Sequence, residues 1–126
     1  MISKYDPLSP PNPEKWLELD EAQRMQIVMQ YHKKAGIETP NDQIHALIHT
    51  IIENQNAQSD KYPVKDAIER LMDEGLDRHE AIHALGSVLI KHMMNKNEDT
   101  DEDESNNAYF EDIRNLTVQK WKEEYS

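Results

Sequence analysis

The sequence predicts an all-α single domain of four to five helices, with two of the helices carrying paired histidines. Three observations lead there. Apolar residues recur at intervals of three and four instead of alternating, as in Ile44, Leu47, Ile48, Ile51 and Ile52. Helix-start signals precede these runs, most of them a capping side chain or a proline at the first helical position. Finally, one Phe and three Gly in 126 residues leave few of the aromatics and tight turns that a sheet uses.

Residues 1–12 carry Pro7, Pro10 and Pro11 and read as an extended, proline-rich arm. Asn12-Pro13 then looks like a cap followed by a first helical residue, opening a short turn through Trp16 and Leu17. Asp20 with Gln23 forms a capping-box pattern, and a helix should follow from Glu21 to Lys34, stopped by Gly36. Its stripe is Met25, Val28, Met29 and His32. Thr39-Pro40, with Asp42 after it, starts the isoleucine-rich helix, and the polar residues 54–60 end it. Tyr62-Pro63 starts a shorter one, with Val64, Ala67, Ile68, Leu71 and Met72 at amphipathic spacing and Gly75 as its stop. Asp77 caps the next helix, whose stripe is Ile82, Leu85, Leu89 and Met93. Within it, Gly86 would allow another helix to come close.

Residues 13–95 thus read as the helical domain. Residues 96–106 are acidic and polar and read as a flexible linker, lacking the glycine and ordered spacing of a calcium loop. In residues 107–126, Tyr109, Phe110, Ile113, Leu116 and Trp121 suggest a C-terminal helix that docks back on the domain and leaves room for a protein partner.

The formal net charge of −11 disfavours nucleic acid, whose backbone calls for a basic surface. No run of about 18 apolar residues exists to span a membrane. The first residues lack the apolar stretch of a secretory signal, so cytoplasm is the expected compartment. Cysteine is absent, which removes thiolates and leaves His, Asp and Glu as metal ligands.

The histidines supply the chemistry. His79, Glu80 and His83 form His-Glu-x-x-His, and His45 and His49 repeat the spacing, with Glu53 four residues further on. Two histidines four apart share a helical face, so both rings can reach one ion. Each pair falls at the margin of its helix's apolar stripe, where core meets rim. A simple up-and-down path makes these two helices parallel, so a steep crossing or an indirect route is needed for the pairs to meet. The expected site is therefore a divalent metal held by His45, His49, Glu53, His79 and His83. Imidazole with carboxylate suits zinc, iron, manganese or nickel. His32 and His92 are unpaired and are left out. Glu80 is a candidate catalytic base, but Asp77-x-x-Glu80 is equally a capping box. A protease reading is set aside because no strand borders a cleft, and the pattern names no reaction. The competing reading is a non-enzymatic protein-interaction module with structural histidines.

The chain also resembles an uncharacterised bacterial helical family known only as domain of unknown function 1841. The resemblance rests on His45, His49, Glu53, Asn54 and Gln55, then Arg78, His79, Glu80 and His83, in that order. It covers roughly residues 45–89 and implies no activity.

Overall fold

The structure is a computed structural model that describes residues 4–36, 41–96, 99 and 101–124. Among these residues there are seven helices and no strand: α1 (Pro13–Glu18), α2 (Glu21–Lys34), α3 (Asp42–Ala57), α4 (Val64–Asp73), α5 (Arg78–Asn95), α6 (Glu102–Asn115) and α7 (Val118–Glu124). None of them is long and apolar enough to cross a membrane.

The all-α expectation holds, but the count of four to five does not. Two local effects account for the difference. Asn12 accepts a hydrogen bond from the Lys15 amide, so the turn after Pro13 becomes a true helix. The C-terminal helix is broken at Leu116, which is extended, and Thr117 Oγ1 accepts from the Lys120 amide to start α7. The acidic linker is also shorter than expected, because residues 102–106 are the opening of α6. Asp101 caps that helix by accepting from the Asp103 and Glu104 amides. The acidic residues that suggested disorder sit at the positive end of the helix dipole, where negative charge is favourable. The proposed start of α3 at Thr39 and Pro40 lies outside the described residues. Within them, Asn41 is the cap and accepts from the Ile44 amide.

The core has two lobes. In the larger, Ile48 and Ile52 of α3 pack with Val64, Ile68 and Leu71 of α4 and with Ile82, Leu85 and Val88 of α5. Tyr109, Ile113 and Leu116 close over it. Arg70 pins them by donating to the Ile113 carbonyl at 3.0 Å and to the Leu116 carbonyl. Tyr109 donates to Gln55 at 2.7 Å. The smaller lobe gathers Trp16, Leu19, Ile27, Val28 and Ala46 around Tyr5. The proline-rich arm is therefore part of the fold: Tyr5 is 5% exposed, and Arg78 donates to the Pro7 carbonyl at 2.9 Å.

The buried face of α3 is rotated from the isoleucine stripe. Ile44 is 53% exposed, while His49, Thr50 and Glu53 are fully buried. Packing on several sides explains this, since α1, α2, α4 and α5 all contact α3 and leave it little free surface. The tightest approach is at Gly86, where an added Cβ would lie 2.7 Å from Ile48 Cγ2. Ile48 is β-branched and stiff in a helix, so the helices themselves must yield. Gly86→Ala is expected to cost about 1–3 kcal/mol in urea unfolding. An unchanged midpoint would mean that α3 and α5 are not held this closely.

Candidate metal centre

Helices α2, α3 and α5 meet at a cluster of imidazoles. His32 comes from α2, His45 and His49 from α3, and His79 and His83 from the first two turns of α5. Potential ligand nitrogens of His32, His45, His49 and His79 all lie within 4.8 Å of one another. His83 joins the edge of this group, with its Nε2 3.1 Å from His49 Nε2. Helical spacing sets the rings within each pair close together and tilted: the centroids are 4.8 Å apart for His45 and His49 and 4.4 Å apart for His79 and His83. The two pairs meet because α3 and α5 pack directly on one another at Ile48 and Gly86.

The hydrogen bonds behind two of the rings decide which nitrogen faces the cluster. His32 Nδ1 is 2.8 Å from the Val28 carbonyl, which can only accept. Nδ1 therefore carries the hydrogen, and the lone pair of the neutral ring is on Nε2. That atom lies 3.0 Å from His45 Nε2.

A longer chain fixes His49. Arg78 donates to both oxygens of Glu53, at 2.7 and 2.8 Å, and this ion pair is buried on both sides. Tyr5 donates its single hydroxyl proton to Glu53 Oε2 at 2.6 Å. Burial, and then the Glu53 carboxylate, push the phenol well above its ordinary pKa, so that proton stays. Tyr5 Oη can then only accept from His49 Nδ1, 3.2 Å away. His49 Nε2 is left with its lone pair directed into the cluster. Histidine ligands are characteristically held in this way, through the opposite ring nitrogen.

Glu53 was expected as a ligand, but its carboxylate is occupied by Arg78 and Tyr5, and it orients His49 from behind. His32 was passed over because it has no partner at helical spacing. Its signal was its place on the apolar stripe of α2 beside Val28, a histidine where an aliphatic residue would ordinarily pack. His92 is apart from the cluster, paired with Asp112 at 2.6 Å. Glu80 is exposed and completes the capping box, accepting from the Asp77 amide at 3.1 Å while Asp77 accepts from the Glu80 amide at 2.8 Å.

The remaining residues of the two motifs are also structurally engaged. Asn54 accepts from Trp16 at 2.9 Å and from Arg24 at 3.1 Å, joining α1 and α2 to α3. Tyr5→Phe would remove the acceptor for His49 Nδ1 while keeping the ring among Trp16 and Tyr31. Metal affinity in that variant is expected to fall about 10- to 100-fold. Competition against a chromogenic chelator would measure this, and an unchanged affinity would remove Tyr5 from the account.

The electrostatics favour neutral rings. Burial, followed by the neighbouring histidines, drives His49 far below its ordinary pKa. His83 is lowered to about 4 for the same reasons, and His45 and His79 are lowered as well. In the unfolded chain these rings take up a proton near about pH 6.5. Their contribution to stability is therefore complete above that pH. It is lost progressively as pH falls from there towards the folded values, because the unfolded state binds more protons. The metal-free protein is expected to lose urea stability between about pH 7.5 and about pH 5. A midpoint that rises over this interval would contradict the cluster's geometry.

His79 Nε2 has no hydrogen-bond partner, and it is the only buried side-chain nitrogen or oxygen among the described residues in that position. Leaving a buried polar atom unpaired is costly, and a bound ion would give this nitrogen a partner. The four nitrogens, spread over up to 4.8 Å, would have to draw together around one ion, but one pair already stands at a fitting distance. Ligands at about 2.0–2.1 Å from a tetrahedral zinc stand about 3.3 Å apart, close to the 3.0 Å between His32 and His45. Comparison with protein-family models, with curated proteins and with solved structures finds no match for this chain.

Proposed function

We propose that this protein binds one divalent metal ion between helices α2, α3 and α5, held by His32, His45, His49 and His79. The convergence of four imidazoles, one of them His79 with its unpartnered buried Nε2, carries this reading. An interaction module with structural histidines would be expected to satisfy such an atom internally. The ordering of His32 by the Val28 carbonyl and of His49 by Tyr5 adds support, since it directs lone pairs inward before any ion arrives. All-imidazole coordination favours zinc, nickel or ferrous iron over magnesium or calcium, which take oxygen ligands. Manganese, suited to carboxylate, loses ground once Glu53 is assigned to Arg78.

The test is a zinc titration of untagged, metal-stripped protein, followed by calorimetry and by elemental analysis after gel filtration. One ion per chain with sub-micromolar affinity is expected. Retention of no metal would return the histidines to a purely structural role.

A further inference from the structure

A groove of ≈ 360 Å³ opens beside the histidine cluster, between α3 and α5. This is the size of a small-molecule site. Its walls are aliphatic: Ile44 and Ile48 on one side, Ile82 and Ile90 on the other. Ile44 and Ile90 are 53% and 39% exposed, as expected of a mouth open to solvent. Among the described residues the lining includes no Asp, Glu, Lys or Arg, and its polar members are His45, His49 and His83 with Asn41 and Ser87. Two of the four proposed ligands, His45 and His49, line this groove, so an ion held by the four would lie at its wall.

We propose that this groove binds a small molecule with an apolar body and a single anionic head, such as a carboxylate, and that the head reaches the metal. The proposal rests on the metal reading above. With no cationic side chain among the described lining residues, the ion is the strongest positive charge they offer an entering anion. His83 gives the head a second contact. His49 Nδ1 donates to Tyr5, so the 3.1 Å contact between His49 Nε2 and His83 Nε2 requires the hydrogen to be on His83. Once a metal takes the His49 lone pair, the His83 N–H loses that acceptor. It is then free to donate to an oxygen of the head group. Metal loading therefore creates the donor as well as the charge, and ligand binding should depend on it. The isoleucines select an aliphatic or flat apolar body over a sugar or nucleotide, whose hydroxyls would be left without partners there.

Calorimetric titration with octanoate tests this, using zinc-loaded protein freed of excess ion, zinc-free protein, and zinc-loaded Ile44→Glu. Ile44 is exposed and is not a proposed ligand, so the variant should fold and keep its zinc. Octanoate is expected to bind the zinc-loaded protein at least about tenfold more tightly than the zinc-free protein, and likewise more tightly than Ile44→Glu with equal zinc content. 1-Octanol, which lacks the anionic head, should bind at least about tenfold more weakly than octanoate. Equal binding by Ile44→Glu would overturn the groove as the site, and equal binding of 1-octanol or by zinc-free protein would overturn the contact with the metal. A protein that loads zinc but ignores octanoate sinks this proposal alone. A protein that takes up no zinc sinks the metal reading, and this proposal with it.

Discussion

Alanine in place of His49 is expected to weaken zinc binding by well over about 100-fold, beyond the most that losing a supporting hydrogen bond costs. His49 is fully buried, its Nδ1 is anchored on Tyr5, and it belongs to the group of four while its Nε2 also lies 3.1 Å from His83 Nε2. His32→Ala is expected to fall in the same range, because His32 is the contribution of α2 to the site and its Nε2 is 3.0 Å from that of His45. His83→Ala should lose only about tenfold, since His83 lies outside the group of four. Chelator competition measures all three. A His32→Ala variant that binds like wild type would show that the four-histidine shell is wrongly composed.

Arg78→Met should be the most destabilising of the substitutions considered. It removes both hydrogen bonds to Glu53 as well as the bond to the Pro7 carbonyl, and leaves a fully buried carboxylate with Tyr5 alone. Breaking one side of a buried pair costs about 3–5 kcal/mol, a large part of the roughly 5–15 kcal/mol that holds a domain together. Urea unfolding with an unchanged slope would read it directly. A loss under about 1 kcal/mol would mean that water or rearrangement accommodates Glu53. The double variant Glu53→Leu, Arg78→Met separates the two roles of the pair. Stability should largely return once no charge is left unpaired. Metal affinity should stay about 10- to 100-fold low, because the Tyr5 hydroxyl has lost the acceptor that fixes its direction.

Much of this architecture could be read from the residues, and the misses have specific causes. Caps were the most legible feature. Asp20 with Gln23 and Asp77 with Glu80 form the capping boxes their spacing announced, and α2 has the expected bounds. Local hydrogen bonding within four residues suffices for such features, so they survive any tertiary arrangement. The meeting of the two histidine pairs was legible as well, although what permits it is the contact of Gly86 with Ile48. The role of Glu53 was not legible. Position on a helical wheel put it on an outward line from His49, but with helices packed on several sides of α3 there is no outward direction there. Its partners Tyr5 and Arg78 stand 48 and 25 residues away in the chain. His32 escaped for the same reason: apart from the Val28 carbonyl, the groups it meets are rings on other helices, and spacing within α2 carries no trace of them. Residues 102–106 show the opposite error, in which composition argued for disorder while the cap at Asp101 organised the same acidic residues into a helix.

X-ray absorption at the zinc edge of the loaded, untagged protein tests the central claim most directly. The account predicts a nitrogen-dominated shell at about 2.0–2.1 Å, with the outer-shell scattering of about four imidazoles. It also predicts that His32→Ala lowers the imidazole count while Glu53→Gln leaves it unchanged. A shell containing a carboxylate oxygen that disappears in Glu53→Gln would contradict it, as would zinc surrounded by water with no imidazole signature.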